Sequence, residues 1–136
     1  MSTWQSLRRK IACGAIQTSH GIMFMTKKIG VVIVAAGSGS RFGDPTPKQY
    51  HVLGGKSILA HCIECFARHT SPDLVQVVYN PAHQDLYDKA VCDLSQVSDL
   101  PAAIAGGETR QQSVLNGLRG LAVHNPDIVL IHDAAR

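Results

Sequence analysis

The chain has 136 residues, of which 45% are apolar and 17% charged, so it is long enough for one globular domain with a substantial core. Its formal net charge of +3 comes from five basic residues within residues 1–30, where there is no Asp or Glu, and the rest of the chain is slightly acidic. A domain with no basic face and only 5% aromatic residues lacks both the charge and the stacking surface of a nucleic-acid binder.

The sequence contains no stretch that approaches the ~18 apolar residues of a membrane span. Its four cysteines occur without a secretion signal, and in a cytoplasmic protein such cysteines are reduced thiols. We therefore expect a soluble, cytoplasmic protein that does not bind membranes.

Residues 1–28 show no sustained hydrophobic period and lie before the first predicted strand. Their Arg, Ser and Thr content without acidic residues resembles an organellar transit peptide, which would place the protein in a plastid. The alternative is that translation starts at Met25, because Met25, Thr26, Lys27 and Lys28 directly precede the strand. We favour this alternative and expect residues 1–28 to be disordered and outside the domain.

Residues 31–34 form an unbroken apolar run, which predicts a strand that is buried on both faces. The strand leads into a loop with three glycines, among them Gly37 and Gly39, and with the cation Arg41; a second cation, Lys48, follows. Glycines allow backbone N–H groups to approach a large anion, so the stretch suggests a nucleoside triphosphate site. The alternative is a strand–helix turn that merely requires glycine.

Two commoner phosphate-binding motifs are absent. The dinucleotide fingerprint requires glycine at its first, third and sixth positions, and here the sixth position is Phe42. The P-loop requires a glycine five residues before its Gly-Lys pair, and the position five residues before Gly55 is Tyr50.

The rest of the chain alternates helices and strands. Ser57 is predicted to N-cap a helix that ends at residues 70–73, and residues 74–79 are predicted to form the second strand. Asn80 and Pro81 then turn into a short helix that continues through Val91.

A third strand is predicted at residues 100–105, and it is followed by a second glycine turn at residues 106–107. The next helix is predicted to place four apolar residues on one face: Val114, Leu115, Leu118 and Leu121. Residues 128–131 form a further, fully apolar strand. This alternation predicts an α/β fold with a doubly wound, mostly parallel sheet.

In such sheets ligands bind beyond the carboxyl ends of the strands. Three segments are expected to meet there: residues 35–48, 106–113 and 133–136. Asp133 follows the last strand and is placed where a carboxylate can hold Mg²⁺ against triphosphate oxygens. The alternative role for Asp133 is that of a helix N-cap.

Two further features are interpreted as structural. Cys62 and Cys65 form a C-x-x-C pair, but they fall inside the predicted helix rather than at its start, and no second pair is present to complete a zinc site. His132 is interpreted as a packed side chain at a strand end.

Taken together, these residues make the chain resemble the 2-C-methyl-D-erythritol 4-phosphate cytidylyltransferases of the non-mevalonate isoprenoid pathway over residues 29–136. Four motifs match in order: AAGxGxR at residues 35–41, PKQY at 47–50, GGETRxxSV at 106–114 and HDAAR at 132–136. The first motif is shared with many sugar-phosphate nucleotidyltransferases, whereas the second and fourth narrow the match to this family. The resemblance implies a Rossmann-like nucleotidyltransferase fold.

The resemblance also implies roles for individual residues. Arg41 and Lys48 would be catalytic, since they would stabilise the α-phosphorus of CTP while the substrate phosphate attacks and pyrophosphate leaves. Asp133 would bind Mg²⁺ or another divalent cation. The nucleotide would be held by residues that surround the cytosine (Ala35, Gly107 and Ser113), the ribose (Ala36, Gly37, Glu108 and Ala134) and the phosphates (Gly39).

Members of this family continue well beyond the HDAAR motif, with further strands, a dimerisation arm and basic residues that grip the acceptor phosphate. We therefore expect residues 29–136 to be the amino-terminal, CTP-binding part of a homodimeric enzyme that is, in some organisms, fused to a cyclodiphosphate synthase. A fragment of this kind can bind nucleotide weakly without turnover. The alternatives are another sugar- or alditol-phosphate cytidylyltransferase and a non-catalytic nucleotide-binding module.

Overall fold

The computed structural model describes residues 27–38, 45–94 and 97–135. In chain order the strands are β1 (Ile29–Ala35), β2 (Val52–Leu53), β3 (Lys56–Ser57), β4 (Val75–Tyr79), β5 (Ile104–Ala105) and β6 (Ile128–Asp133). The α-helices are α1 (Ile58–His69), α2 (Gln84–Cys92) and α3 (Arg110–Ala122), and short 3₁₀ turns occur at Lys48–Tyr50, Pro72–Leu74 and Pro81–His83.

The main sheet has four strands in the order β5–β4–β1–β6, and all three strand pairs are parallel. Val31 of β1 lies opposite Val75 of β4 on one side and Leu130 of β6 on the other. The chain runs outward from β1 to β4 and β5 and then returns to the other side of β1, so the winding direction reverses beside β1. The predicted parallel α/β fold is confirmed, and the reversal is where such sheets open a crevice for ligands.

Helices cover both faces of the sheet. On one face, α1 and α2 bury Leu59, Ile63 and Ala90 against Val31 and Ile33 of β1. On the other face, Leu121 of α3 packs with Val32 and Val78. The central strand β1 is thus buried on both faces, as its unbroken apolar run predicts.

Helix α1 begins where the sequence indicates. The Ser57 hydroxyl accepts a hydrogen bond from the Ala60 N–H at 3.1 Å, so Ser57 is the N-cap. The helix ends at Thr70, whose N–H donates to the Phe66 carbonyl at 2.9 Å. Before it, β2 and β3 form a small antiparallel hairpin around Gly54 and Gly55 that the sequence analysis does not predict.

Helix α3 turns only part of the predicted face toward the sheet: Leu121 is buried and Leu118 packs against the core. Its buried residues are Ser113, Gly117 and Leu121, whereas Leu115 is 42% exposed. A Cβ atom at position 117 would lie 2.4 Å from Cγ1 of Val32, so the helix approaches the sheet as closely as only glycine allows. The close approach at Gly117, and not apolar character alone, therefore decides which side of the helix is turned inward.

Of the two outer strands, one is shorter than predicted and the other is present as predicted but is partly exposed. The predicted strand at residues 100–105 shortens to β5, which pairs only with Val78 and Tyr79. Strand β6 is apolar, yet it lies at the edge of the described sheet, and Leu130 and Ile131 are 47% and 44% exposed. An edge position leaves side chains uncovered that an interior strand would bury.

Lys28 joins the start of β1 to the segment before β6. Its backbone N–H donates to Oδ2 of Asp127 at 2.7 Å, and its ammonium group donates to the His124 carbonyl at 2.6 Å. Within the described ranges, none of the helices has the length and apolar character needed to cross a membrane.

Candidate active site

A cavity of about 630 Å³ opens beyond the carboxyl ends of β1, β4 and β6. All three segments expected to meet at this edge contribute to its lining. The predicted site residues that line it are Ala36, Gly37 and Lys48 from the first segment, Gly107, Glu108 and Ser113 from the second, and Asp133 and Ala134 from the third. The volume falls within the range of roughly 300–1,000 Å³ that is typical of small-molecule sites.

One predicted site residue is placed differently. Ala35 is buried behind the cavity wall with 1% exposure, and its carbonyl faces the interior. Gly39 and Arg41 lie outside the described residues, so their predicted roles remain predictions.

The glycine-rich loop is held from behind by the buried side chain of Gln49. Its Nε2 atom donates to the Ala35 and Gly37 carbonyls, at 2.9 Å in each case. Gln49 belongs to the 3₁₀ turn Lys48–Tyr50, in which the Tyr50 N–H donates to the Pro47 carbonyl at 2.9 Å. Because Gln49 points inward, its neighbour Lys48 is left exposed at the cavity.

The second segment fits tightly against the first. A Cβ atom at position 106 would lie 2.4 Å from the Cβ of Ala36, so only glycine permits this approach. The Gly106 N–H donates to the Tyr79 carbonyl at 2.8 Å, which ties the turn to the end of β4. The two loops therefore form one continuous wall of the cavity.

The Ser113 hydroxyl has a defined orientation in this wall. It accepts a hydrogen bond from the Gly107 N–H at 3.1 Å and donates one to the Thr109 carbonyl at 3.0 Å. Thr109 caps α3, since its hydroxyl accepts from the Gln112 N–H at 3.1 Å. The buried Ser113 is thus fixed in place beside the backbone of Gly107.

The third segment is held by contacts from two directions. The Ala134 N–H donates to the Val34 carbonyl at 3.1 Å, and the Cys62 thiol donates to the Ala134 carbonyl at 3.3 Å. Asp133 accepts a hydrogen bond on Oδ1 from Nε of Arg110 at 3.0 Å. Arg110 and Asp133 are 58% and 20% exposed at their side chains, so the pair lies at the solvent-facing side of the cavity.

The charged residues described in the cavity lining are balanced. Lys48 and Arg110 supply two positive charges, and Glu108 and Asp133 supply two negative ones. A bound triphosphate would therefore require additional cations. Among the described residues, no group of three or more His, Cys, Asp and Glu side chains is arranged to hold a metal ion. Mg²⁺ bound with a nucleotide needs only one or two carboxylates, because phosphate and water oxygens complete its shell, and Asp133 fits that requirement.

His132 and Cys62, which are interpreted as structural, both make packing contacts. His132 packs edge-on against Phe66, with ring centroids 5.1 Å apart. Cys62 lies one turn inside α1, and burial, together with the neighbouring Cys65, raises the pKa of its thiol. A raised pKa makes a thiol less reactive, which fits a structural role for Cys62.

A group of aromatic residues supports the turn that carries Lys48. Tyr50 contacts the His83 ring edge-on at 6.1 Å, and Tyr79 stacks on Tyr87 at 4.9 Å. Burial raises the pKa of both Tyr50 and Tyr87 to about 12. These side chains are therefore packing elements that remain neutral near pH 7.

Sequence reasoning missed several cavity residues, notably Gln49, Asn80 and Arg110. Gln49 and Arg110 both lie within motifs that carry the family resemblance, so the motifs themselves were the available signal. Asn80 follows β4 directly, and the rule that ligands bind at the carboxyl ends of strands could have identified it.

Comparison with known proteins gives concordant results. The model of the family IspD, 2-C-methyl-D-erythritol 4-phosphate cytidylyltransferase, matches residues 29–136. The bifunctional enzyme IspD/IspF of Bradyrhizobium sp. strain BTAi1 is 44% identical over 114 residues, which cover 84% of this chain and 28% of that protein. The bifunctional enzyme IspD/IspF of Rhodospirillum rubrum is 47% identical over 109 residues, which cover 80% of this chain and 28% of that protein.

Among solved structures, the chain is similar to 4-diphosphocytidyl-2C-methyl-D-erythritol synthase from Anaerococcus prevotii, with a TM-score of 0.58 and 26% identity. The similarity covers 81% of this chain and 44% of that one. The chain thus spans less than a third of the length of the curated relatives cited above and less than half of this structure.

Proposed function

Since the chain belongs to the 2-C-methyl-D-erythritol 4-phosphate cytidylyltransferase family, we propose that the complete protein transfers CMP from CTP to 2-C-methyl-D-erythritol 4-phosphate. An oxygen of the acceptor phosphate forms a bond to the α-phosphorus of CTP. The bond from that phosphorus to the bridging oxygen breaks, and pyrophosphate leaves with the electron pair. The nucleophile is already an anion, so the reaction requires no general base.

The observation that carries the proposal is the meeting of the three segments around one cavity. Ala36, Gly107 and Asp133 come from distant parts of the chain, yet all line the crevice beyond the carboxyl ends of the parallel strands. This is the edge at which doubly wound sheets bind nucleotides. The same segments carry the motifs of the family, so geometry and sequence support the same site.

We assign the cytosine to the wall formed by Gly107 and Ser113, with Ala35 packed directly behind it. A pyrimidine edge can be recognised by fixed backbone groups and one oriented hydroxyl, and Ser113 provides such a hydroxyl. Ala36, Gly37, Glu108 and Ala134 would surround the ribose, and the Glu108 carboxylate could accept hydrogen bonds from its hydroxyl groups.

The phosphates are assigned to the side of the cavity that contains Lys48, together with Gly39 and Arg41. Negative charge develops on the phosphoryl oxygens during transfer, and fixed cations stabilise it most where water is excluded; each is worth about 10²–10³ in rate. Asp133 would hold Mg²⁺, which supplies positive charge to the triphosphate when it is bound. Arg110 would exchange its present partner for solvent or a phosphate oxygen.

Two other functions use the same cavity. Another cytidylyltransferase would accept a different sugar or alditol phosphate, and a non-catalytic module would bind the nucleotide without transfer. The acceptor phosphate that is used distinguishes these functions. It would bind to residues in the part of the relatives that this chain does not cover. We place the complete protein in the cytoplasm as a homodimer that contacts neither nucleic acid nor membrane.

A pyrophosphate-release assay on the full-length protein tests the proposal. We expect release from CTP with 2-C-methyl-D-erythritol 4-phosphate, and none with ribitol 5-phosphate or other sugar phosphates. Activity only with ribitol 5-phosphate would favour the alditol enzyme. CTP binding without release for any acceptor would favour the binding module.

A further inference from the structure

Gln49 is a buried polar side chain whose hydrogen bonds to described residues both go to the start of the glycine-rich loop. It is 5% exposed, and its amide nitrogen donates to two carbonyls of that loop, those of Ala35 and Gly37. Only the nitrogen of a glutamine amide can donate, so a contact with two carbonyls defines the orientation of the amide. Gly37 lies beyond the end of β1, where the sheet offers its carbonyl no strand partner.

These two hydrogen bonds determine where the loop N–H groups point. In a trans peptide the C=O and the following N–H lie in one plane and point in opposite directions. When the Ala35 and Gly37 carbonyls point toward Gln49, the N–H groups of Ala36 and Ser38 must point away from it. Both residues line the cavity.

We propose that Gln49 is a positioning residue that turns the start of the glycine-rich loop, residues 36–38, so that the N–H groups of Ala36 and Ser38 face the nucleotide. This inference rests on the proposed function, because it assigns a role within the same CTP site. The side chain touches neither CTP nor the reacting atoms and acts through the loop backbone. Because Gln49 and Lys48 are neighbours in one 3₁₀ turn, the same contact also sets the distance between Lys48 and the loop.

A second glutamine provides a matched control. Gln76 of β4 is 3% exposed, and its Nε2 atom donates to the carbonyls of Val77 at 3.2 Å and Ala102 at 2.9 Å. It is thus as buried as Gln49 and makes the same type of paired contact, but it does not line the cavity. Replacement of either glutamine removes two hydrogen bonds from the interior, whereas only Gln49 is connected to the loop.

The test compares Gln49→Glu with Gln76→Glu in the full-length protein. A carboxylate cannot donate, so Gln49→Glu places negative charge against two carbonyl oxygens and should raise the KM for CTP about tenfold or more near pH 8. Burial raises the pKa of the introduced carboxyl group, and its protonated form can donate one hydrogen bond. The ratio of mutant to wild-type KM should therefore fall as the pH is lowered toward about 6. Gln76→Glu should lower the Tm and leave the KM for CTP within about twofold of wild type.

A normal KM in Gln49→Glu, or an equal rise in KM in Gln76→Glu, would overturn the positioning role. If Gln49→Glu does not fold, Gln49→Met removes the donor without adding charge and should show the raised KM without the pH dependence. Failure of both variants to fold would also overturn the proposal, since Gln49 would then serve folding itself. A wild-type protein that binds CTP but transfers no CMP would contradict the proposed function and leave the positioning role testable. The Gln49 and Gln76 variants would then be compared by their Kd for CTP.

Discussion

Arg110 and Asp133 lie 23 residues apart in the sequence, and Nε of Arg110 donates to Oδ1 of Asp133 at 3.0 Å. The Arg110 side chain is more than half exposed, and an ion pair of this kind contributes about 0–1 kcal/mol to stability. The pair therefore adds little to the stability of the fold, and a divalent cation with bound nucleotide could replace the guanidinium at Asp133.

If Asp133 holds Mg²⁺, Asp133→Asn should weaken Mg²⁺-dependent CTP binding about tenfold or more and change the Tm only slightly. The amide keeps the size of the side chain and removes its charge. Calorimetric titration of the full-length protein with CTP, with and without Mg²⁺, measures the effect. Asp73→Asn is the control, because Asp73 forms a surface pair with His124 at 3.6 Å outside the cavity. A large loss of stability with intact binding would instead support a structural role for Asp133.

Lys48→Ala should lower kcat about 10²-fold or more and raise the KM for CTP much less. This difference arises because the ammonium group is assigned to charge that develops during transfer. Lys89→Ala, on the exposed side of α2, removes the same charge away from the cavity and should leave both constants unchanged. Steady-state kinetics of the full-length enzyme give both values, and a near-normal kcat in Lys48→Ala would remove this residue from the mechanism.

Arg41 is predicted to act with Lys48, and its guanidinium can hold two phosphate oxygens at once. Arg41→Ala should therefore also reduce kcat, and Arg41→Lys should not restore the wild-type rate, since an ammonium group cannot make the same paired contact. The measurement is kcat for the three proteins at saturating CTP. Full activity of Arg41→Lys would show that only the charge matters.

Gly117→Ala should destabilise the fold, although alanine is normally better than glycine in a helix by about 1 kcal/mol. The new Cβ would lie 2.4 Å from Val32 and 2.9 Å from Val78, and such overpacking costs about 1–3 kcal/mol. Urea unfolding measures the difference. Gln111→Ala, at an exposed position of the same helix, is the control and should have no cost. An unchanged or higher unfolding midpoint for Gly117→Ala would show that α3 can move away from the sheet.

Tyr50→Phe should leave stability near pH 7 unchanged or slightly increased, because the buried hydroxyl has no hydrogen-bond partner among the described residues. Burial raises the pKa of Tyr50 to about 12, against about 10 in the unfolded chain. The stability linked to the protonated Tyr50 hydroxyl is therefore fully present below about pH 10. It is lost as the pH rises through about 12, because the unfolded chain loses the proton first.

Urea midpoints at neutral pH and near pH 11 check this behaviour, and Tyr50→Phe should lose less stability in alkali than the wild type. In contrast, Tyr79→Phe should cost stability already at neutral pH, because the Tyr79 hydroxyl donates to Gln84. An equal alkaline loss in wild type and Tyr50→Phe would assign the loss to other groups, of which Tyr87 is the first candidate.

Much of the fold follows from the sequence because its signals are local. The apolar run at residues 31–34 forms the doubly buried β1, and Ser57 caps α1 through its own hydroxyl. The meeting of the three site segments was also predictable. Parallel strands bring their carboxyl ends to one edge, so residues after β1 and β6 converge however far apart they are in the chain.

Other features depend on which surfaces come together, and the sequence alone does not determine them. Leu115 is apolar but exposed, because close packing against the sheet selects the small Gly117 for the inward side of α3. The contacts of Gln49 with the loop and of Arg110 with Asp133 join segments with no shared periodicity. Hydrophobic pattern and capping act over a few neighbouring residues, so they define the helices and strands. Steric fit and hydrogen bonding between distant elements act only once those elements have come together. These contacts decide which polar side chains form the site.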